Sequence, residues 1–135
     1  MGGVARLKLL LDTHIWLWSL HQPHRLGRRV MQELKNPENE FWLSPINTWE
    51  ALTLLAKGRI ELPADISAWV AQATASFQEA PLTHEIALAA QKLPLSHHDP
   101  ADRFLAATAQ ILHLTLVTAD VKLLGLGDIL TLANR

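Results

Sequence analysis

The stretch Arg6-Leu7-Lys8-Leu9-Leu10-Leu11-Asp12-Thr13-His14 decides how the chain is read. A nearly continuous apolar run stops at an aspartate, and a tryptophan-bearing segment, Ile15-Trp16-Leu17-Trp18-Ser19-Leu20, follows. A short unbroken run of this kind reads as a strand covered on both faces, the condition of a parallel sheet. Asp12 then stands at the strand's carboxyl end, where open α/β sheets place their ligands. A lone aspartate there is also an ordinary turn former or helix cap. Its meaning depends on which other acids reach the same edge.

Outward from this strand, helical and extended patterns alternate. Ile15–Leu20 reads as a short helix with Thr13 as its N-cap, broken at His21-Gln22-Pro23-His24. Arg25 to Lys35 places Leu26, Val30, Met31 and Leu34 on a 3.6-residue period, an amphipathic helix. Glu40–Ser44 is a second strand. Ser44-Pro45 opens a helix with a hydroxyl cap and proline at the first helical position. Its apolar stripe is Ile46, Trp49, Leu52 and Leu55 or Ala56, with Asn47, Glu50 and Lys57 off that stripe, and Gly58 stops it. Ala64–Ser76 is helical, Phe77–Leu82 forms a third strand, and Thr83 caps a helix over His84–Lys92. Ser96-His97-His98 is a loop. Asp99-Pro100-Ala101-Asp102 opens the best-marked helix, with Leu105, Thr108, Ala109 and Leu112 towards the core. Leu114–Thr118 is a fourth strand, Asp120 caps a short helix over Val121–Leu124, and Asp128–Leu130 adds an edge strand.

Composition bounds the rest. A chain of 135 residues, 49% hydrophobic and 19% charged, has the length of one domain spanning residues 1–135 and can bury a real core. With no cysteine there is no disulfide framework and no thiolate nucleophile or metal ligand, which fits a reducing cytoplasm. The first residues carry no apolar signal core, and no stretch is long enough to span a membrane, so no membrane role is expected. A net charge of −1 does not announce a nucleic-acid binder, so any nucleic acid would need a local basic patch or a bound cation.

Strands alternating with helices imply right-handed crossovers, in which each strand ends and each following helix begins at the same edge. Asp12 and Asp120 follow strands, while Glu50 and Asp102 lie in the first turns of helices that follow strands. Four acids therefore project towards one edge. Carboxylates gathered within a few ångströms repel, so some stay protonated or a cation sits among them. Oxygen-only ligands suit Mg²⁺ or Mn²⁺ rather than zinc, and such a site can activate water against a phosphodiester. Each acid also has a structural reading: Asp99 and Asp102 as a capping pair, Asp120 as a cap, Glu50 as a solvated helix residue. Spacing alone leaves both readings open. The histidines of His97-His98 and of His21-x-x-His24 lack zinc-helix spacing and read as loop and surface groups. His14 and His84 begin helices and take local roles. Trp16, Trp18, Trp42 and Trp49 fit core positions. Arg25, Arg28 and Arg29 cluster on one helix, and Lys57 and Arg59 straddle Gly58; a solvated face is the default reading of both groups. Arg103 and Lys122 adjoin acidic positions and are weak candidates for RNA binding.

The blocks Leu9-Leu10-Leu11-Asp12-Thr13-His14-Ile15-Trp16-Leu17-Trp18, Ser44-Pro45-Ile46-Asn47-Thr48-Trp49-Glu50, Lys57-Gly58-Arg59-Ile60-Glu61-Leu62-Pro63, Asp99-Pro100-Ala101-Asp102-Arg103 and Leu116-Val117-Thr118-Ala119-Asp120 together resemble PIN-domain proteins, most nearly the VapC-type toxins of bacterial toxin–antitoxin pairs. The resemblance covers essentially the whole chain in order. It implies a three-layer α/β/α domain around a parallel sheet of four to five strands and an endoribonuclease dependent on Mg²⁺ or Mn²⁺. By the family's pattern Asp12, Glu50, Asp102 and Asp120 match the catalytic acids, with Asp12 and Asp102 the main metal contacts. Thr13, Ser44 and Thr118 match small polar positions around them, and Asp99 stands behind. The same resemblance implies a homodimer, an RNA substrate and a cognate VapB-like antitoxin. Ala101 departs from the aromatic common at its position, and no acidic position is lost. Two other classes stand beside this one. A non-catalytic PIN-like module binding RNA or a protein partner is disfavoured by the intact acids. An aspartyl-phosphate phosphatase would need a second aspartate at position 14, which is histidine.

Overall fold

The computed structural model describes residues 6–95 and 99–135, so the loop reading of Ser96-His97-His98 falls outside the described residues. Five strands, β1 (Lys8–Leu11), β2 (Glu40–Leu43), β3 (Gln78–Glu79), β4 (Thr115–Thr118) and β5 (Leu130–Ala133), form one wholly parallel sheet in the order β3-β2-β1-β4-β5. The chain winds outward from β1 through β2 and β3, then returns to the other side through β4 and β5. The topological switch point therefore lies between β1 and β4, with Leu10 paired to Leu116.

Helices α1 (Thr13–His21), α2 (Arg28–Leu34), α3 (Pro45–Ala56) and α4 (Ile66–Thr74) precede the second group, α5 (His84–Lys92), α6 (Pro100–Leu112) and α7 (Val121–Leu124). Alternation along β1 explains how the two groups divide, because successive strand side chains point to opposite faces. Leu9 and Leu11 pack with Ile15, Trp16, Val30, Ala51 and Trp69 on one face. Leu10 packs with Ile86, Ala90, Leu105, Ala106 and Leu123 on the other. The run reads as continuously apolar because both faces are covered, giving three layers. The buried alanines of α6, Ala101, Ala106, Ala107 and Ala109, keep that helix close to the sheet while favouring helix formation.

Most caps fall where the residues placed them. Ser44, Thr83, Asp99 and Asp120 each accept a backbone N–H in the first turn of their helices. Gly58, at φ 70°, ends α3 in the left-handed conformation that glycine adopts without a Cβ penalty.

Several expectations are corrected. Asp12, not Thr13, caps α1, its Oδ1 accepting from Thr13 N at 2.7 Å. Residues Pro23–Arg25 form a 3-10 turn, and α2 starts only at Arg28, because the backbone is extended at Leu26 and Gly27, where Gly27 N is held by Asn134 Oδ1. The third strand shrinks to two residues. The last strand lies at Leu130–Ala133 rather than Asp128–Leu130, set by pairing with Thr115–Thr118. On α3 the buried face runs through Asn47 and Ala51, while Trp49 is 54% exposed. Hydrophobic spacing could not distinguish these faces. Asn47 is drawn inward by polar partners on β1 and α1, and that rotation turns Trp49 out. Among the described residues no helix is long and apolar enough to cross a membrane.

Candidate active site

Asp12 leaves β1 with its backbone N donating to Val117 O of β4 at 2.9 Å, so it sits at the switch point. Its second carboxylate oxygen, Oδ2, accepts from the Thr118 hydroxyl at 2.6 Å, and that same hydroxyl accepts from Asp120 N at 3.0 Å. Thr118 thus links the two strand-end acids. Asp102 lies in the first turn of α6, only 8% exposed, as is Asp12. Asp12, Glu50, Asp99, Asp102 and Asp120 line one cavity of about 360 Å³, with His14, Trp18 and Ala119 completing the wall. The acids placed at one edge by the strand–helix alternation thus share a cavity, and Asp99 joins them while capping α6.

Electrostatics follow from the crowding. Burial raises the Asp12 pKa, opposed by its hydrogen bonds from Thr118 and Thr13 and by nearby His14, and reinforced by Asp120. Glu50 is pushed up to about 7, first by burial, with the Thr13 hydroxyl opposing and the negative charges of Asp12, Asp99 and Asp102 adding to the rise. Glu50 Oε1 is buried without a hydrogen-bond partner. An orphaned acceptor among carboxylates is the signature of a position completed by a proton or a cation.

The donor set fits a hard divalent ion. Carboxylates of Asp12, Glu50, Asp99, Asp102 and Asp120 line the cavity beside His14, and among the described residues no group of three or more acidic or histidine side chains is placed to hold a metal ion. Oxygen donors suit Mg²⁺ or Mn²⁺, which bind through one or two carboxylates while water and substrate phosphate supply the rest.

Not every candidate reaches the cavity. Ser44 is not among the residues lining it: it caps α3 and lines a separate groove. Lys122 is exposed on α7, its backbone N donating to Asp120 Oδ1. Arg103, a candidate for RNA binding, turns inward instead. Its guanidinium donates to the carbonyls of Ala90, Leu93 and Leu95, closing the end of α5 against α6. These carbonyls lie at and just beyond the end of α5, and a planar fork of donors reaches all three at once.

Asn47 lies off the apolar stripe that hydrophobic spacing gives this helix, yet it is 0% exposed. Its Oδ1 accepts from Ser44 N at 2.8 Å, while Nδ2 donates to Leu11 O and to the Thr13 hydroxyl, both at 3.0 Å. It holds the end of β1, the start of α3 and the hydroxyl that serves Glu50 in one arrangement. The available signal was its place three residues after Ser44, an amide variant of the reciprocal capping box.

The raised Glu50 pKa has a measurable consequence in chelator. A carboxyl with pKa 4.5 unfolded and about 7 folded favours the folded state while protonated. That contribution is lost as pH rises from the unfolded towards the folded value. Glu50→Gln is therefore expected to unfold at a higher temperature than the parent above pH 7, the two converging below about pH 4.5. Thermal melts from pH 4 to 8 check this, and a pH-independent difference would contradict it.

With this geometry in hand, comparison with known proteins is informative. The PIN domain family model matches residues 9–127. Ribonuclease VapC22 of Mycobacterium tuberculosis (strain ATCC 25618 / H37Rv) is 32% identical over 116 residues, covering 85% of this chain and 88% of that protein. The fold matches that of VapBC2 from Rickettsia felis, solved bound to a DNA fragment from their promoter, with TM-score 0.73 at 15% identity over 96% of this chain and 100% of that one. It also matches VapBC-5 of Mycobacterium tuberculosis, a member of the VapBC family of toxin-antitoxin systems, with TM-score 0.60 at 19% identity over 95% and 98% of the respective chains.

Proposed function

The chain belongs to the PIN-domain family, and from that premise we propose that it works as a VapC-type toxin, an endoribonuclease dependent on Mg²⁺ or Mn²⁺. The observation that carries this reading is the cavity at the β1/β4 switch point, lined by Asp12, Glu50, Asp99, Asp102 and Asp120, where the buried Glu50 Oε1 has no hydrogen-bond partner among the described residues. Asp12 and Asp102 would hold the ion. When bound, the ion supplies charge neutralisation for the phosphate and lowers the pKa of a water.

The chain's own residues do the remainder. Thr118 and the Thr13 backbone N–H fix both oxygens of Asp12, so its direction is set before any ligand arrives. Glu50, with its pKa near neutrality, can hold a proton on Oε1 and release it as the local charge changes, as a general acid or base requires. Asp120, anchored through Thr118, adds negative charge at the mouth. Attack by water on the phosphodiester needs no protein nucleophile and leaves no covalent intermediate.

The protein acts in the cytoplasm on RNA, as a homodimer restrained by a VapB-like antitoxin. The exposed side chains of Trp49, Leu82 and Leu88 supply apolar surface for association. The matched folds are those of VapBC proteins, which supports the antitoxin assignment. The direct test is cleavage of RNA by the purified protein in Mg²⁺, in Mn²⁺ and in chelator. Cleavage is expected with either ion, lost in chelator and restored on adding ion back. Equal cleavage in all three would overturn the reading.

A further inference from the structure

Beside the acidic cavity lies a larger groove of about 710 Å³, and the two share His14 and Trp18 as a common wall. The two adjoin across these side chains, the smaller lined by carboxylates and the larger by Arg25 and Arg59 among others. The Arg25 guanidinium lies over the Trp18 ring, 4.7 Å from its centroid, a cation–π arrangement that fixes its plane. Arg25 Nη1 donates to Gln22 Oε1 at 3.3 Å, and the other guanidinium donors stay available. Among the described residues neither Arg25 nor Arg59 is ion-paired, although Glu61 shares the wall.

The turn that carries Arg25 is built into the sheet. Asn134 Oδ1 accepts from Gly27 N at 2.6 Å, and its Nδ2 donates to Arg25 O at 3.1 Å. Asn134 N donates to Thr118 O at 2.9 Å, and the Thr118 hydroxyl holds Asp12. Gly27 packs so closely on Arg135 that a Cβ there would overlap its carbonyl. The groove's cation and the centre's aspartate are thus tied to the same strand end.

We infer that this groove seats the RNA strand flanking the scissile bond, with its phosphates on Arg25 and Arg59. The inference rests on the nuclease reading above and says where its substrate lies. A cluster of carboxylates repels the phosphate backbone, and a chain of net charge −1 offers no long-range attraction. Affinity for a single strand must come from fixed cations close to the centre, and the groove supplies them in Arg25 and Arg59.

The test separates binding from cleavage. In an Asp102→Asn background, a fluorescein-labelled single-stranded RNA decamer is titrated by anisotropy between 50 and 200 mM salt. Arg25→Gln with Arg59→Gln, both at exposed positions, is expected to weaken binding about ten-fold at the low-salt end. The slope of log affinity against log salt should fall by about 1.4, near 0.7 for each lost phosphate contact. Arg25→Lys should keep the slope while losing affinity, since charge survives and the planar stack does not. Affinity and slope within two-fold of the parent in the double variant would overturn the inference. Cleavage by the unmodified chain in ion and in chelator reports on the nuclease reading separately, so either can fail alone.

Discussion

Asp102→Asn is expected to lower RNA cleavage by roughly 10²–10⁴-fold while leaving the fold intact. Asp102 is nearly buried in the first turn of α6 and acts electrostatically on Glu50. Asparagine keeps its size and most of its hydrogen-bonding capacity but removes the charge a divalent ion needs. The substitution also relieves like-charge repulsion, so Glu50 should ionise more readily and the metal-free protein should melt at the same temperature or slightly higher. Loss of the favourable interaction with the helix dipole works the other way, by about 0.3–1 kcal/mol, and keeps the net change small. Single-turnover cleavage beside a thermal melt reads both quantities. Near-parent cleavage, or loss of cooperative unfolding, would mean that Asp102 serves chiefly as a helix-start residue.

The second large effect is expected at Asn47. Asn47→Ala strips partners from Ser44 N, Leu11 O and the Thr13 hydroxyl together, all at buried residues. Leaving a buried polar group unpaired costs about 1–3 kcal/mol, so partial relaxation still predicts a loss of about 3 kcal/mol. For a chain of this size that is roughly 10 °C in Tm. Activity should fall beyond the fraction unfolded, because Thr13 no longer holds its place beside Glu50. Denaturant melts and cleavage rates normalised to folded protein distinguish the two effects. A stability change under about 0.5 kcal/mol would show that the junction is held by packing instead.

These two residues mark the boundary between what could be read along the chain and what could not. Asp102 was legible because its signals are local: Asp99 as a cap, Pro100 at the first helical position, and an acid in the first turn. The same short-range physics made the caps at Ser44, Thr83 and Asp120 and the stop at Gly58 readable from neighbouring residues. The α/β alternation carried the inference further, since parallel crossovers send every strand end to one edge.

Asn47, Trp49 and Arg103 were not legible for the opposite reason. Asn47 is buried because Leu11 O, 36 positions away, and Thr13, 34 positions away, meet its amide in space. Its inward turn leaves Trp49 exposed on a helix whose hydrophobic spacing pointed the other way. Arg103 adjoins an acid in sequence, yet its guanidinium answers carbonyls at the end of a different helix. The last strand shifted because pairing with β4, not its own residues, set its register. The sequence by itself determined the alternation of strands and helices, most of the helix caps and the edge at which the acids gather, because those depend on neighbours along the chain. The tertiary structure decided which helix face is buried, which cation is satisfied internally and which faces the groove. Those outcomes depend on where distant backbone groups leave hydrogen bonds and charges to be met.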